Sequence, residues 1–134
     1  MALRRSSIGF FGLLGRSGDL KQLDEALRAA DLHPALVPEG VKLTIVNLMK
    51  DHWREEPPAT AYPPLARLLA YCVAGPDTYG EANGQGSTDD MERRIEAAFE
   101  APESLDAQII LLALHAKLMN PAVVERFDLS ADPA

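Results

Sequence analysis

The side chains with the clearest chemical potential form a short cluster around His52. The stretch from Asp51 to Arg54 places an imidazole at the edge of an apolar helix face, beside the only tryptophan and two charged residues. Trp and Arg are the residues most often found at binding hot spots. We therefore predict that His52, Trp53 and Arg54 contribute to a binding site. The alternative is that Trp53 caps the core while its charged neighbours are solvated.

The other two histidines and the single cysteine have structural interpretations. No two of the three histidines are three or four residues apart, as ligands of one zinc ion on one helix face would be. His115 lies among leucines and is expected to be a buried, hydrogen-bonded core residue. His33 precedes a proline at a helix end, where its ring can bond to free carbonyls. Cys72 falls on an apolar stripe, which is typical of a small core residue and not of an ionised thiol.

Residues 76–87 are polar and glycine-rich, and they are predicted to form the only long loop of the chain. Loops near this length are usually functional or disordered, so Tyr79 within it is a candidate binding residue. The run from Gly84 to Thr88 lacks the Gly-Lys-Ser/Thr of a phosphate-binding loop, and acidic residues follow it. The spacing of a calcium loop also fails, because the central glycine is displaced and the terminal Glu is absent. We predict no cofactor, nucleotide or metal.

Composition narrows the class of protein further. A chain of 134 residues forms one domain with an adequate core, and its single cysteine allows no internal disulfide. With no cleavable signal evident, a cytoplasmic location is expected. Twenty acidic residues oppose thirteen basic ones, and Arg4, Arg5 and Arg16 precede the first acid. Because an acidic body repels phosphate backbones, nucleic-acid binding is not expected.

Residues 1–16 combine a twin arginine with Ile8, Phe10, Phe11 and two leucines, which imitates an export or membrane signal. The apolar part covers only about seven residues and is interrupted by glycines, whereas about 20 residues are needed to cross a bilayer. We expect an N-terminal tail that docks its Phe and Leu side chains on the domain. Membrane-surface contact or partner binding through residues 1–16 ranks second, and an export signal third.

Helical periodicity accounts for most of the remaining sequence. Helices are predicted from about residue 17 or 19 to 31, 41 to 54, 61 to 74, 87 or 89 to 99, 104 to 119 and 121 to 127. Between the first two, Pro34 and Pro38 bracket a single turn whose Leu36 and Val37 should point inward. Phe99 is assigned to the buried stripe of the fourth helix.

The helix predicted at 104–119 contains an unbroken run of aliphatic residues, Ile109 to Leu114. A helix that is hydrophobic on all sides must be surrounded by protein, so this helix is predicted to be central. The fold class is therefore all-α, a single domain of five or six helices. Residues 17–127 form this domain, between an N-terminal tail at 1–16 and a C-terminal tail at 128–134.

A weak internal repeat leaves two arrangements of these helices open. Pro34, Pro76 and Pro121 are 42 and 45 residues apart, and His33-Pro-Ala-Leu-Val resembles Asn120-Pro-Ala-Val-Val. This period resembles that of HEAT and armadillo repeats, whose helix pairs stack into a curved array. The helices form either such stacked pairs or an irregular bundle.

These features favour a small cytosolic interaction or regulatory module that binds a protein partner without a cofactor. Its predicted binding surface is a groove between helix 41–54, the Pro57-Pro58 break and the 76–87 loop, with Trp53 partly buried at the rim. A homo-oligomer is compatible with the same sequence. The alternative is an enzyme whose site is assembled around Asp51, His52 and the 76–87 loop.

Overall fold

The computed structural model describes residues 18–129, and within that range the chain is entirely helical, with no strand. Its seven α-helices are α1 (18–29), α2 (Glu39–Trp53), α3 (Tyr62–Ala74), α4 (Pro76–Asn83), α5 (Gln85–Glu100), α6 (Leu105–His115) and α7 (Pro121–Arg126). Single 3-10 turns occupy Pro34–Leu36 and Ala59–Ala61. The all-α prediction is confirmed, but the described helices number seven instead of five or six. The predicted tail at 1–16 and most of the tail at 128–134 lie outside the described residues.

Helix α2 is formed by a sequence that includes several residues that favour strands. The helical prediction is confirmed, and Ile45 and Met49, one turn apart, are both fully buried. The helix ends at Arg54, which adopts a left-handed conformation with φ of 60° and donates its N–H to the Lys50 carbonyl. No helix in the described part of the chain is long and apolar enough to cross a bilayer.

The prediction of a long loop at residues 76–87 is wrong. Pro76 starts α4, and Gly75 and Gly84, with φ of 92° and 93°, mark the two breaks between α3, α4 and α5. Proline is well suited to the first helical turn, where its missing N–H has no partner to lose. Tyr79 is only 1% exposed and fixes the short helix against its neighbours. Burial of this one side chain therefore outweighs the low helix propensity of the polar and glycine residues around it.

The most deeply buried helix is α3, which packs against α4, α5 and α6. Its buried side chains are Tyr62, Leu65, Ala66, Leu68, Leu69, Ala70, Tyr71 and Cys72. Helix α6 buries Ile109, Ile110 and Ala113 but leaves Leu111 49% exposed. The prediction that helix 104–119 is enclosed on every side is therefore wrong, and α3 occupies the centre instead.

Four further side chains depart from their predicted environments. Leu36 and Phe99 are 59% and 53% exposed, although both were assigned to the core. His115 ends α6 and is exposed, because the helix presents its last turn to solvent. His33 uses its ring to cap the turn that follows it, since Nδ1 accepts the Ala35 N–H at 3.0 Å. None of these four positions could be assigned from periodicity alone, since each lies at or near a helix end.

Buried tyrosines connect the helices through polar partners. The three hydroxyl contacts are Tyr62 to Asp19 Oδ1 at 3.3 Å, Tyr71 to Glu92 Oε2 at 3.1 Å, and Tyr79 to Ser87 Oγ at 2.7 Å. They join α1 to α3, α3 to α5, and α4 to α5. Because a buried hydroxyl without a partner is costly, these contacts specify which helices lie side by side.

Candidate binding groove

A cavity of about 500 Å³ opens where the end of α2, the start of α3, the second half of α5 and the start of α6 meet. Its apolar walls include Trp53, Ala61, Leu65, Ala97, Ala101 and Leu105, and we refer to it as the Trp53 groove. Half of these six side chains are alanines. Drug-sized and peptide side-chain ligands bind in cavities of this size, which range from roughly 300 to 1,000 Å³.

Trp53 lies at the rim of the groove because the backbone turns sharply immediately after it. The left-handed Arg54 ends α2, and the extended Pro58, with ψ of 153°, precedes the 3-10 turn Ala59–Ala61 that leads into α3. Trp53 is partly buried against the core, and His52 is exposed beside it with the two ring centroids 4.8 Å apart in an edge-to-face arrangement. The predicted position of Trp53 on the rim of a groove therefore agrees with the structure.

The floor of the groove carries a tightly bonded ion pair between α5 and α6. Arg94 donates from Nε to Asp106 Oδ2 at 3.0 Å and from Nη2 to Asp106 Oδ1 at 2.9 Å. Its Nη1 donates to the Pro64 carbonyl at 2.7 Å, at the start of α3. Such two-pronged pairs are the strongest type of side-chain hydrogen bonding. Sequence reasoning missed this pair, because partners twelve residues apart on different helices leave no periodic signal.

Replacing Arg94 with lysine should lower the free energy of unfolding by about 1–3 kcal/mol. An ammonium group cannot reach both Asp106 oxygens and the Pro64 carbonyl together, so at least one half-buried acceptor loses its partner. Urea denaturation measures the change. The control is Arg93→Lys, since Arg93 is exposed and pairs only with the exposed Asp90. Equal stability of the two variants would show that the Arg94 contacts contribute little.

The structure brings only some of the predicted site residues together. His52 and Trp53 both line the groove, whereas Asp51 and Arg54 line a separate shallow depression with Glu55 and its neighbours. Tyr79 is buried far from solvent, packed edge-to-face on another tyrosine with ring centroids 5.7 Å apart. The predicted contribution of residues 76–87 to the groove is wrong, because α5 and α6 supply the opposite wall.

A second polar cluster anchors the first helix beside the groove. The Asp19 side chain is 5% exposed, receives the Tyr62 hydroxyl and pairs through Oδ2 with Lys50 Nζ at 2.8 Å. A hydrogen bond to Asp19 and repulsion by its charge raise the pKa of Glu56. Burial, with a further contribution from the Asp19 charge, raises the pKa of Tyr62 to about 12. The cluster therefore joins the start of α1 to the last turns of α2 and to the first residue of α3.

The described residues contain neither a reactive thiol nor a cluster of metal ligands. The Cys72 side chain is 1% exposed, and burial raises the pKa of its thiol to about 12. The thiol is therefore neutral at physiological pH, in agreement with its assignment to the core. Among residues 18–129, no three His, Cys, Asp or Glu side chains lie close enough together to hold a metal ion.

A smaller apolar cavity of about 250 Å³ lies beside the Trp53 groove where α5 and α6 meet, and Ala98 lines both cavities. Exposed Phe99 and Leu111 line it together with Leu129, the last residue that the structure describes. We refer to it as the Phe99 cavity.

Comparisons with protein-family models, curated proteins and solved structures found no match for this chain.

Proposed function

We propose that this protein is an interaction module that binds an apolar, positively charged segment of a partner protein in the Trp53 groove. The observation that carries the proposal is a half-buried tryptophan at the rim of a cavity with small apolar walls. Tryptophan anchors are enriched among the residues that dominate binding energy, and they are most effective where the neighbouring contacts exclude water.

The two walls of the groove have the shape that a peptide requires. On one side, Ala61 and Leu65 are four residues apart, and on the other, Ala97 and Ala101 have the same spacing. Each wall therefore combines one residue inside a helix with one at its end, and both residues of each wall are small or apolar. Alanine side chains let the backbone of a bound segment approach closely.

The charges around the groove favour a basic partner. None of the four nearby glutamates lines the groove, but all are exposed and close in sequence to residues that do: Glu100 and Glu103 flank Ala101, and Glu55 and Glu56 lie between Trp53 and Pro58. The Arg94 guanidinium on the floor is already bonded to Asp106. Complementary charge at the rim of an interface increases the association rate and discriminates against wrong partners.

We also propose that the helices form an irregular bundle and not a stack of repeats. In a stacked array each unit contacts only its neighbours. Here α3 contacts α4, α5 and α6, and α2 packs against α6 across several intervening elements. These contacts close the helices around α3 and support a bundle.

The enzyme alternative requires Asp51, His52 and residues 76–87 to converge. They lie at separate places, with His52 in the groove, Asp51 in another depression and Tyr79 in the core. The ionisable groups that line the groove are His52, Arg94 and Asp106, and the last two are bonded to each other. We therefore favour binding over catalysis.

A test of the proposal uses a displayed random peptide library selected against the full chain. Peptides that combine apolar and basic residues should be enriched, and Ala97→Arg should weaken their binding about 10-fold or more, or by about 1.4 kcal/mol. The arginine side chain fills the groove and repels a basic peptide. Ala97 is exposed on a helix, so the substitution should leave folding intact. Isothermal titration calorimetry with the selected peptides measures the loss.

The matched control is Ala82→Arg. Ala82 is also exposed on a helix, α4, but lines neither the Trp53 groove nor the Phe99 cavity. Its affinity for the same peptides should equal that of the unmodified chain. Peptides that bind the Ala97→Arg variant as tightly as the control would locate binding elsewhere, and failure to enrich any peptide would also reject the proposal.

A further inference from the structure

We propose that the segment formed by residues 1–17 of this same chain occupies the Trp53 groove in the free protein, so that a partner must displace it. The inference rests on the proposed function, since it takes the groove to be a peptide-binding site. Four properties support this occupant: where the segment is attached, how far it reaches, its composition and its charge.

The attachment point lies beside the groove. Asp19, in the first described turn of α1, contacts the Tyr62 hydroxyl at 3.3 Å and Lys50 Nζ at 2.8 Å. Tyr62 directly follows Ala61, which lines the groove, and Lys50 lies one helical turn before Trp53. The start of α1 therefore contacts the residue that follows Ala61 and the helix that ends at Trp53.

The segment is long enough to extend over the neighbouring surface of the bundle. Phe10 and Phe11 precede residue 18 by eight and seven positions. This length spans about 25 Å when extended, at 3.3–3.6 Å per residue, and about 11 Å when helical. Leu13 and Leu14 are nearer still. In either conformation the segment extends from the Asp19 anchor by at least about the diameter of one helix, which is about 10 Å.

Composition and charge match the groove. Five of the segment's large apolar residues are clustered, at Ile8, Phe10, Phe11, Leu13 and Leu14. It also carries three arginines and no acid, whereas all twenty acidic residues of the chain follow it. Apolar side chains fit the walls of the groove, and the arginines are attracted to the carboxylates exposed near it.

Covalent attachment makes even weak docking effective. A short flexible connection gives a bound group an effective concentration in the millimolar range. Docking with a dissociation constant of about 1 mM would therefore fill the groove in about half of the molecules. A filled groove cannot bind a partner, so the apparent affinity for the partner falls in proportion to the fraction of grooves that remain empty. The segment is then an intramolecular competitor of the partner.

The test attaches a nitroxide spin label to the full chain through Ser7→Cys. The native Cys72 is buried, so the introduced thiol is the one that reacts. Trp53 is the only tryptophan, and its indole N–H gives a single, unambiguous NMR signal. Docking should broaden that signal and the amide signals of Ala97 and Ala101, and reduction of the label should restore them.

Two variants of the labelled chain separate docking from simple tethering. Phe10→Ser combined with Phe11→Ser should largely relieve the broadening of the Trp53 signal, because the apolar anchors are lost. Phe99→Ser removes an exposed phenylalanine from the Phe99 cavity and should leave the Trp53 signal broadened. Broadening that persists in the Phe10/Phe11 variant would reveal tethering alone and would overturn the inference.

Broadening confined to Leu111 and Leu129 would place the segment in the Phe99 cavity and would equally overturn the inference. No peptide is added in this experiment, so its result is independent of the library selection. Library peptides that depend on Ala97, without label-induced broadening at Trp53, would reject the cis occupant and retain the proposed function. The opposite result is broadening at Trp53 without any library peptide that depends on Ala97. It would retain residues 1–17 as the occupant of the groove and reject a partner-binding role.

Discussion

Replacing Gly75 with alanine is expected to lower the free energy of unfolding by about 2–5 kcal/mol. Gly75 has φ of 92° and ψ of 164°, a backbone region that is essentially restricted to glycine and costs other residues about 1–3 kcal/mol. An added Cβ would also lie 2.8 Å from Cγ and Nδ2 of Asn120. The alanine thus imposes backbone strain and a steric clash at one position.

The clash is costly because hydrogen bonds fix the Asn120 side chain. Its Nδ2 donates to the Ala74 carbonyl at 3.1 Å, and its Oδ1 accepts the Ala122 N–H at 2.8 Å, capping α7. The Asn120 backbone N–H also donates to the Cys72 carbonyl at 2.8 Å. A side chain displaced by the new methyl group would lose bonds worth about 0.5–1.5 kcal/mol each.

The chain provides a matched control in Gly84→Ala. Gly84 has nearly the same conformation, with φ of 93° and ψ of 160°, but nothing lies within 4 Å of an added Cβ. This variant should lose only the strain energy of about 1–3 kcal/mol. Urea denaturation of both variants isolates the Asn120 contact as the difference between them. Equal losses would show that Asn120 moves aside without cost.

Periodicity predicted the fold wherever a helix has one buried and one exposed face. Helix α2 was assigned correctly despite its β-branched residues, because Ile45 and Met49 share one face with helical spacing. The apolar stripe of α3 was equally clear, and Cys72 was placed correctly on it. The signal in both cases is the spacing of apolar side chains, which local sequence contains in full.

Periodicity failed where burial depends on a distant neighbour. The polar, glycine-rich composition of residues 76–87 predicts a loop. In the structure Tyr79 packs against Tyr71, and most of the segment is helical. The run from Ile109 to Leu114 predicts a fully enclosed helix, yet among the described residues 18–129 Leu111 remains 49% exposed. Both errors concern which elements come together, and that information is spread over the whole chain.

The candidate site was predictable in part for the same reason. Residue types identified Trp53 and its neighbours, since a lone tryptophan beside charges at a helix end is uncommon. The opposite wall depends on how α5 and α6 meet, and the Arg94 to Asp106 pair that joins them has no local signature. The sequence therefore predicted the anchor of the groove but not its second wall.

Alkaline pH is expected to destabilise the protein strongly, because three buried acidic groups at α3 must ionise on unfolding. Burial raises the pKa of Tyr62 from 10.0 to about 12 and that of Cys72 from 9.0 to about 12. Burial, followed by repulsion from Glu92, also raises the pKa of Tyr71 above its ordinary value. All three groups therefore hold their protons more tightly in the folded state than in the unfolded chain.

The direction of the pH effect follows from this difference. A group with a raised folded pKa contributes stability that is fully present below its unfolded pKa and lost as pH rises towards its folded pKa. The loss should begin near pH 9 with Cys72, increase near pH 10 with the two tyrosines and continue to about pH 12. Each pKa unit of difference corresponds to about 1.4 kcal/mol, so the combined loss should amount to several kcal/mol.

Urea denaturation at a series of pH values from about 8 to 11 measures this loss. The variant Tyr62→Phe should be less stable than the unmodified chain at neutral pH, because Asp19 loses the donated hydroxyl. Its stability should nevertheless fall less steeply above about pH 10, since one of the three ionising groups is absent. At neutral pH the hydroxyls of Tyr62 and Tyr71 donate to carboxylates, and once ionised they would repel the same carboxylates. A slope in Tyr62→Phe identical to that of the unmodified chain would show that Tyr62 ionises in the folded protein as freely as in the unfolded one.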